Sequence, residues 1–532
     1  DLDGKLSKDG KVLFRLNLAA QNKGSFRQNE FNDRYAIAPV ISYQIDDKTK
    51  LTAEYNYQRA HMSDVGSYYI FSPKGYGVFP QSFSQLPAGL PPTNINDHSF
   101  TLNLQHQLTD NWKLTAQAAK YHYSQLGTSM WADAVNADGS YIRNAGIWEA
   151  VSDMSLVQAF VNGKVNTGDV VHKILGGIDM ADKKYVADYA QTKSLDTPAE
   201  PFNPYAENTR LNDPANGYPV FDRTLNLEAR AAAGFGLINS RYTSLYVQDE
   251  LGFLDNKLRL TLAGRYTYTT QTDFGTTASA KKFSPRVGLS VSVDDQTSFY
   301  GLYDQAFTPQ AGRVSVGTVK PITGNNLEFG FKRDWADGKW NTTVAAYRIL
   351  KNNELAADPN APANSNISIV FGQRRAQGIE FDLRGELAPG LDLVANYALT
   401  DSKVSKVDSA VSRVTGIKVG DFTPGYAKHV ANAWLSYKLR GGALKGTGLS
   451  LGGSYLAGRH TDTWTPGLLT LPNYFKMDAG LFWEGAKMRI TGNVFNVLDK
   501  YTYSGSYYSY LSAYYYQADA PRNYRLSISY KF

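Results

Sequence analysis

The most regular feature of the chain is the alternation of apolar and polar residues over short segments. It is clearest at residues 525–532, where apolar Leu526, Ile528, Tyr530 and Phe532 alternate with Arg, Ser, Ser and Lys. Successive side chains of a β-strand point to opposite faces, so this segment predicts a strand with one apolar and one polar face. A strand that ends on its apolar face needs a neighbour for its backbone groups, and a closed barrel provides one.

The same alternation recurs along the chain and is interrupted by tight polar turns. Residues 35–45 and 51–58 alternate on either side of Asp46-Asp47-Lys48, which predicts a hairpin. By count the pattern predicts about twenty strands of roughly ten residues, the length that crosses a bilayer at a tilt. Further short turns are predicted near Asn166–Asp169, Leu254–Asn256, Asp294–Gln296, Ala336–Gly338, Ala388–Gly390, Arg440–Lys445 and Gly485–Lys487.

Long irregular segments alternate with these turns. The longest predicted loops are Met62–Asn96, Ser124–Asp153 and Ala181–Arg241. Short turns on one rim and long loops on the other are typical of outer-membrane barrels, whose long loops lie outside the cell. The pattern therefore predicts an all-β protein: one transmembrane antiparallel up-and-down β-barrel domain over residues 1–532, without a linker or a second domain.

Composition narrows the function classes. A mean hydropathy of −0.37 and the absence of an apolar run of roughly 18 residues argue against spanning helices. The 36 tyrosines suit the interfacial girdles of a barrel. The absence of cysteine excludes disulfides and thiol nucleophiles. The net charge of +6 is scattered along the chain, which gives no support to nucleic-acid binding.

Signals of catalysis are weak. Gly448-Leu449-Ser450-Leu451-Gly452 fits the nucleophile-elbow spacing, but that motif needs a strand that turns into a helix, and here the alternation continues to Tyr455. The 7 histidines show no paired metal-ligand spacing, and no glycine-rich phosphate loop precedes a helical pattern. We therefore expect no enzymatic activity, no cofactor and no metal site.

Seven short segments of the chain match a known family in the order in which they occur. They are Tyr246–Asp249, Leu260–Tyr266, Phe283–Gly288, Leu327–Gly330, Gly378–Glu380, Asn493–Asn496 and Pro521–Phe532. They resemble the corresponding segments of TonB-dependent receptors of the Gram-negative outer membrane, and among these the hydroxamate (ferrichrome-type) siderophore receptors.

The resemblance implies TonB-energised uptake of a ferric siderophore, with iron present only as a chelate. It also implies a monomer in the bacterial outer membrane, in contact with lipopolysaccharide and other lipid. Members of the family have a twenty-two-stranded barrel and an N-terminal plug through which TonB acts. Residues 1–6 resemble the end of the family's second strand. We therefore expect this chain to be the barrel portion of a longer receptor, without the plug and the first strands.

The resemblance also implies a ligand site among aromatic loops. Ser67-Tyr68-Tyr69-Ile70-Phe71 resembles the stretch with which ferrichrome-type receptors contact ligand, and Tyr69 and Phe71 take the matching positions, although Trp is more usual where Phe71 stands. Tyrosine supplies both an apolar ring and a hydrogen-bond donor for a bulky chelate. The alternative interpretation is that these rings only pack loop against loop or lie at the membrane interface. Further candidates are Tyr185 and Tyr189 in a second long loop and, in the tyrosine-rich last loop, Tyr508, Tyr514 and Tyr515, beside Tyr507, Tyr510 and Tyr516.

Charged residues on the predicted lumen faces form a second group. In a filled barrel they would pair with the plug, and the alternative is that they are only solvated. These are Arg265, Arg286, Glu328, Glu380, Asp382 and Arg384.

Other functions remain open for the same barrel. One is a receptor for another scarce ligand, such as haem or cobalamin, but His61, His429 and His460 lie in no haem motif. Another is an open diffusion pore, and an outer-membrane hydrolase is a more distant alternative. The gene sequence upstream of Asp1 would separate a plugged transporter from a pore.

Overall fold

The fold was analysed in a computed structural model, which describes residues 1–64, 66, 68–206, 210–234, 236–273, 275–315, 318–358, 361, 367–461, 468–508 and 511–532. Two short helices, α1 (Leu227–Ala233) and α2 (Ser409–Thr415), lie in loops. The strands, in chain order, are β1 (Leu2–Lys5), β2 (Val12–Gln21), β3 (Asn32–Asp46), β4 (Thr49–Met62), β5 (Tyr69–Ser72), β6 (Thr93–Thr109), β7 (Trp112–Val135), β8 (Tyr141–Thr167), β9 (Val170–Asp188), β10 (Thr192–Ser194), β11 (Leu237–Phe253), β12 (Leu258–Asp273), β13 (Thr276–Ser292), β14 (Thr297–Thr308), β15 (Arg313–Val314), β16 (Ile322–Trp335), β17 (Trp340–Asn352), β18 (Leu355–Ala357), β19 (Ile367–Val370), β20 (Gly372–Ala388), β21 (Leu391–Val407), β22 (Ala427–Lys438), β23 (Thr447–Arg459), β24 (Tyr474–Glu484), β25 (Met488–Phe495), β26 (Tyr503–Tyr508), β27 (Tyr514–Ala518) and β28 (Asn523–Tyr530).

One antiparallel sheet dominates the molecule. Among the described residues it contains 22 strands. Leaving β10 aside, each strand from β1 to β28 that belongs to this sheet pairs with the next one along the chain. The short strand β10 extends the sheet beside the outer part of β8. The predicted up-and-down barrel, with about twenty strands, is confirmed.

The predicted short turns are also confirmed. β8 and β9 are joined at 168–169, β16 and β17 at 336–339, and β20 and β21 at 389–390. At the second of these, Ala336 and Asp337 adopt positive φ angles, followed by Gly338 at 80°. Three consecutive left-handed residues reverse the chain tightly, which fixes the register of the two strands.

The alternation predicted for each strand defines two faces. In β20, Ile379 and Phe381 lie on the apolar face with their cross-strand partners Leu399 and Tyr397. Ile379, Phe381 and Tyr397 continue the belt of exposed large apolar side chains that also includes Phe329, Leu526 and Ile528. An apolar belt on the outside of a barrel faces lipid, so the polar alternate residues face the lumen.

Two loop predictions were wrong. Ser124–Asp153 is not a loop, because β7 and β8 pair from Trp112 to Val135 and leave only 136–140 as the turn. These strands have 24 and 27 residues, much more than the expected ten or so. The predicted loop Ala181–Arg241 is likewise shortened at both ends by β9 and β11. Met130 and Tyr141 on one face are fully buried under other loops, and Ser129 and Ile142 on the other face are only 8% exposed, so both faces are covered there and the alternation that marks a half-buried strand is lost.

The beginning and the end of the chain meet at the rim with the long loops. Arg27 Nη2 donates to the Ala518 carbonyl at 3.0 Å, and Gln81 Nε2 donates to the Asp519 carbonyl at 3.0 Å. These contacts show that the sheet curls until its first and last hairpins are neighbours. In the described part of the chain, no helix is long and apolar enough to cross a membrane.

Candidate functional site

A small sheet closes part of the extracellular mouth. β27 pairs with β26 on one side and with β5 on the other, so the last loop and the loop between β4 and β6 form one three-stranded sheet. The sequence places aromatic residues at alternate positions of β5 and at successive positions of β27, and the pairing brings their side chains together. Two of the predicted aromatic segments therefore form one structural unit.

Tyr69, Phe71 and Tyr515 lie on one face of this small sheet. Phe71 and Tyr515 are direct cross-strand partners and their rings stack at 5.7 Å, while Tyr69 meets Tyr515 edge-on at 5.3 Å. Trp131 of β7 packs against all three rings at centroid distances of 5.2 to 6.4 Å. Phe71 is only 2% exposed, so its ring is committed to this cluster, whereas Tyr69 and Tyr515 are partly exposed.

Tyr514 and Tyr508 lie on the opposite face. They are cross-strand partners, and their rings meet edge-on at 5.1 Å. The Tyr514 hydroxyl accepts a hydrogen bond from the backbone N–H of Leu469 at 3.0 Å. Beside it, burial raises the pKa of Tyr503 to about 12, and the neighbouring Tyr501 and Tyr76 add to the rise. Ser67 and Tyr510 lie outside the described residues.

Tyr185 and Tyr189 are placed differently from the prediction. Tyr185 is not in a loop but in β9, where its cross-strand partners are Ser152 and Ile238. It shares the lumen face with Asp179, farther along the same strand. Tyr189 directly follows β9 and is 40% exposed. Its pKa is raised mainly by partial burial and, to a smaller extent, by the negative charge of the nearby Asp273. The structure therefore does not bring this pair into the small sheet of the mouth.

A buried ion pair supports the mouth and was missed in the sequence. Arg143 and Asp196 are 0% and 1% exposed, and the guanidinium donates to both carboxylate oxygens at 2.9 and 3.0 Å. Arg143 also donates to the carbonyls of Gln85, Arg210 and Leu211 at 2.9 to 3.1 Å. One side chain thus ties together three segments. The only available signal was a charge inside a segment that looked like a loop.

On the lumen wall, Arg265 is held by its neighbours. Its Nη2 lies 2.8 Å from Asp179 Oδ1 and donates to Ser244 Oγ at 2.8 Å. The guanidinium carbon also lies 5.7 Å from the centre of the Tyr246 ring. Arg265 is therefore paired within the barrel wall, and its contact with a plug stays a prediction.

Arg286 and Glu328 are also paired within the wall. Arg286 Nη2 donates to Asp304 Oδ2 at 3.0 Å, and the two residues are cross-strand partners. Glu328 Oε1 accepts a hydrogen bond from the Tyr300 hydroxyl at 2.7 Å.

Glu380, Asp382 and Arg384 form an exposed row on the lumen face of β20. Among the described residues, neither Glu380 nor Asp382 has an ion-pair partner. Arg384 Nε donates to Asn341 Oδ1 at 3.3 Å. This row differs from the paired residues of the wall, because its charges are open to the lumen.

Gly448–Gly452 lies within β23, which continues straight to Arg459, so the strand-to-helix turn of a nucleophile elbow is not formed. No group of three or more His, Cys, Asp or Glu residues that could hold a metal ion occurs among the described residues.

Residues 32–497 match the family described as "TonB dependent receptor-like, beta-barrel". The chain belongs to this family. This match confirms the family membership predicted from the short sequence segments. It also confirms the predicted location in the bacterial outer membrane. The polar row in the lumen and the aromatic mouth are thus parts of a TonB-dependent receptor barrel.

Relatives in the TonB-dependent siderophore receptor family align over nearly the whole chain. The metal-pseudopaline receptor CntO of Pseudomonas aeruginosa (strain UCBPP-PA14) is 26% identical over 99% of this chain and 72% of the relative. The ferrichrome outer membrane transporter/phage receptor of Escherichia coli (strain K12) is 26% identical over 93% of this chain and 66% of the relative. These relatives are transport receptors.

Solved structures show the same fold. Pseudomonas aeruginosa FpvA bound to a heterologous pyoverdine superimposes with a TM-score of 0.80 at 20% identity, covering 100% of this chain and 69% of FpvA. At this identity the likeness concerns the barrel architecture alone.

Proposed function

We propose that this receptor barrel takes up a ferric siderophore of the hydroxamate type across the outer membrane, energised by the TonB complex acting through a plug. The observation that carries the proposal is the aromatic cluster of the mouth, in which Tyr69 and Tyr515 stay partly exposed beside Trp131. Rings with hydroxyl groups suit a chelate that presents both apolar carbon and carbonyl oxygens. The names of the ferrichrome and ferrioxamine B receptors among the relatives support the hydroxamate type.

The proposed partners follow from the same argument. They are the ferric siderophore itself, the TonB complex, and lipopolysaccharide with the other lipids that surround the barrel. We propose residues 1–532 as one barrel domain that works as a monomer, and iron as cargo rather than a resident cofactor. Glu380 and Asp382, which have no ion-pair partner in the described part of the chain, are the lumen charges proposed to face a plug.

An uptake assay tests the proposal directly. The full-length gene is expressed in a strain that lacks its own siderophore receptors, and accumulation of radioiron is measured with ferrichrome and ferrioxamine B, each with and without a functional tonB gene. Uptake of either chelate that is lost without TonB supports the proposal. Uptake of ferripyoverdine or of a metal–pseudopaline complex, with neither hydroxamate transported, would overturn the hydroxamate type. TonB-independent entry would overturn the energised mechanism.

A conservative variant tests the binding residues. Tyr69→Phe keeps the ring and removes one hydroxyl, so we expect the affinity for the transported chelate to fall by roughly twofold to tenfold, the value of one hydrogen bond. Tyr437→Phe, on the lipid face of β22, removes the same atom far from the mouth and serves as the control. Equal affinities of the two variants would exclude a hydrogen bond from the Tyr69 hydroxyl to the ligand.

A further inference from the structure

Two histidines lie side by side on the outer face of the barrel. His98 of β6 and His122 of β7 are direct cross-strand partners, and their ring centres are 6.2 Å apart. His98 has the same parity as Phe100, an exposed residue of the apolar belt, so both rings are on the outside of the barrel. Among the histidines that the structure describes, no other two rings are in contact. The sequence does not reveal the pair, because the two residues belong to different strands and share no short spacing.

The pair lies where the apolar belt gives way to polar residues. On the side of the membrane centre, the next outward-facing residue of β6 is Phe100. On the side of the long loops, the next outward-facing residue is Asn96, whose cross-strand partner is Ser124. The His122 side chain is 46% exposed. Water and dissolved ions therefore reach the pair.

Each ring of the pair is held by a neighbour through its Nδ1 atom. His122 Nδ1 lies 3.0 Å from Oδ1 of Asp153, its cross-strand partner on β8. His98 Nδ1 lies 2.8 Å from the hydroxyl of Tyr55 on β4. A neutral imidazole has one N–H group and one lone pair, so a neighbour that accepts the Nδ1 proton leaves the lone pair on Nε2. In the described part of the chain, neither Nε2 atom has a hydrogen-bond partner.

This arrangement is typical of histidines that bind a metal. A ligating histidine usually donates its other N–H to a carboxylate or a similar acceptor, which fixes the orientation of the ring. A metal–nitrogen distance of about 2.0–2.1 Å places the centre of a ligating ring about 3.2 Å from the metal, so two rings on one ion lie about 5.2 to 6.4 Å apart. The observed distance of 6.2 Å is within this range. The two rings can therefore share an ion without movement of the backbone.

Other histidines of the barrel have the same neighbours but no second ring. His429 Nδ1 lies 2.8 Å from the Tyr397 hydroxyl, as in the contact between His98 and Tyr55. His172 Nδ1 lies 2.7 Å from Asp249 Oδ2, as in the contact between His122 and Asp153. A held imidazole alone is thus a common feature of this wall. The juxtaposition of two held rings distinguishes His98 and His122.

The charge near the pair does not oppose a cation strongly. Lys120 lies two residues from His122 on the same face, and its Nζ is 3.8 Å from Asp153 Oδ1. The carboxylate therefore offsets the ammonium charge while it also orients the His122 ring.

We propose that His98 and His122 bind one divalent cation of the borderline class, Zn²⁺, Ni²⁺ or Cu²⁺, through their Nε2 atoms. Imidazole nitrogen suits these ions, whereas Ca²⁺ and Mg²⁺ prefer oxygen ligands. Asp153 is a positioning residue, and water completes the coordination of the ion. The site lies outside the lumen, so it is separate from the path proposed for the ferric siderophore and does not depend on that function.

A metal titration tests the inference. The full-length protein is purified in detergent without a histidine tag and titrated with Zn²⁺ by isothermal titration calorimetry. Pulsed electron paramagnetic resonance of the Cu²⁺ complex counts the imidazole ligands. The test variant is His98→Gln/His122→Gln. The control variant, His172→Gln/His429→Gln, removes two held histidines that lack a second ring.

We expect the wild type and the control variant to bind one Zn²⁺ ion more than the test variant does. The Cu²⁺ spectrum of this site should show two imidazole ligands in the wild type and one in His122→Gln. Asp153→Asn keeps both ligands and removes the orienting carboxylate, so the affinity should fall by about tenfold or more while the number of ions stays the same. Equal Zn²⁺ binding by the wild type and the test variant would overturn the inference. Ca²⁺ that binds this site as tightly as Zn²⁺ does would overturn the choice of the borderline class.

Two further measurements keep the outcomes separate. Heat-modifiable gel mobility reports whether each variant folds, and His122→Gln alone replaces the double variant if that one does not. Radioiron uptake is measured on the same proteins, and the test variant should keep the uptake of the wild type because the pair lies outside the lumen. Zn²⁺ binding that depends on the pair in a protein without siderophore uptake would leave this inference intact while the proposed transport function fails.

Discussion

The rings of Phe71 and Tyr515 stack with their centroids 5.7 Å apart and an interplanar angle of 28°. One residue belongs to a loop near the start of the chain and the other to the last loop, and their backbones are paired in the same small sheet. This contact fastens the first and last loops of the mouth to each other. It also places aromatic side chains that the sequence predicts for ligand binding inside a packed cluster.

Phe71→Ala should therefore loosen the small sheet without unfolding the barrel. Removing a buried Phe ring typically costs about 3–5 kcal/mol, and the cost should appear as local opening because few strands of the barrel touch this ring. Hydrogen exchange of residues 503–518 measures it. Val220→Ala, at a residue that is 94% exposed, should change exchange very little. Unchanged protection of 503–518 in Phe71→Ala would contradict the role of the stacked pair.

Asp196→Asn should detach the segment around residues 195–216 from the barrel. It leaves the Arg143 guanidinium buried without its carboxylate, and breaking such a pair costs about 3–5 kcal/mol. Limited proteolysis of the folded protein should then cleave this segment faster. Glu200→Gln breaks the exposed pair with Arg210, so it should cost at most about 1 kcal/mol and leave the cleavage rate near that of the wild type. Equal cleavage of both variants would argue against a supporting role for Arg143.

Alkaline pH should open the tyrosine cluster of the mouth before the barrel unfolds. The pKa of Tyr503 is raised from its ordinary value of 10 to about 12 in the folded protein. The Tyr503 hydroxyl therefore loses its proton at a lower pH in the unfolded segment than in the folded one. The contribution of Tyr503 to the stability of the folded segment is fully present below pH 10 and falls as the pH rises from 10 to 12. Ultraviolet difference spectra and hydrogen exchange as a function of pH measure this. Tyr503→Phe should reduce the pH dependence in that window, and an unaltered dependence would assign the transition to other groups.

Gly330→Ala should destabilise the barrel wall at one defined contact. The ring of Tyr300 lies directly over Gly330, its cross-strand partner, so an added Cβ would overlap the ring carbons. Moving the ring breaks its hydrogen bond to Glu328, and overpacking of this kind costs about 1–3 kcal/mol. Thermal unfolding monitored by gel mobility measures the loss. Gly441→Ala, where a Cβ meets nothing within 4 Å, is the control, and equal stability of both would contradict the overlap.

Much of the architecture was predictable from local pattern. Because side chains of a strand point alternately to opposite faces, the sequence alone assigned Ile379 to the lipid face and its neighbour Glu380 to the lumen. Turn residues such as Ala336–Gly338 marked the hairpins, since only a few residue types reverse the chain so tightly. The extensions of β7 and β8 were not predictable, because loops cover both of their faces and remove the alternation.

The candidate site was predictable only in part. The sequence singled out Tyr69, Phe71 and Tyr515 as aromatic residues in loops, but it could not show that they pack on one another, because the contact joins nearly opposite ends of the chain. Arg143 gave no signal beyond its charge, since its partner Asp196 is fixed by the path of a long loop. Whether Tyr69 contacts a chelate stays a prediction.

By itself the sequence determined that this protein is a membrane barrel with a lipid-facing surface and a polar lumen. The alternation of apolar and polar side chains that shows this is a local property of each strand. Only the tertiary structure decided which loops cover the mouth and which charges are paired. Those outcomes depend on contacts between residues far apart in the chain, and no local pattern encodes such distances.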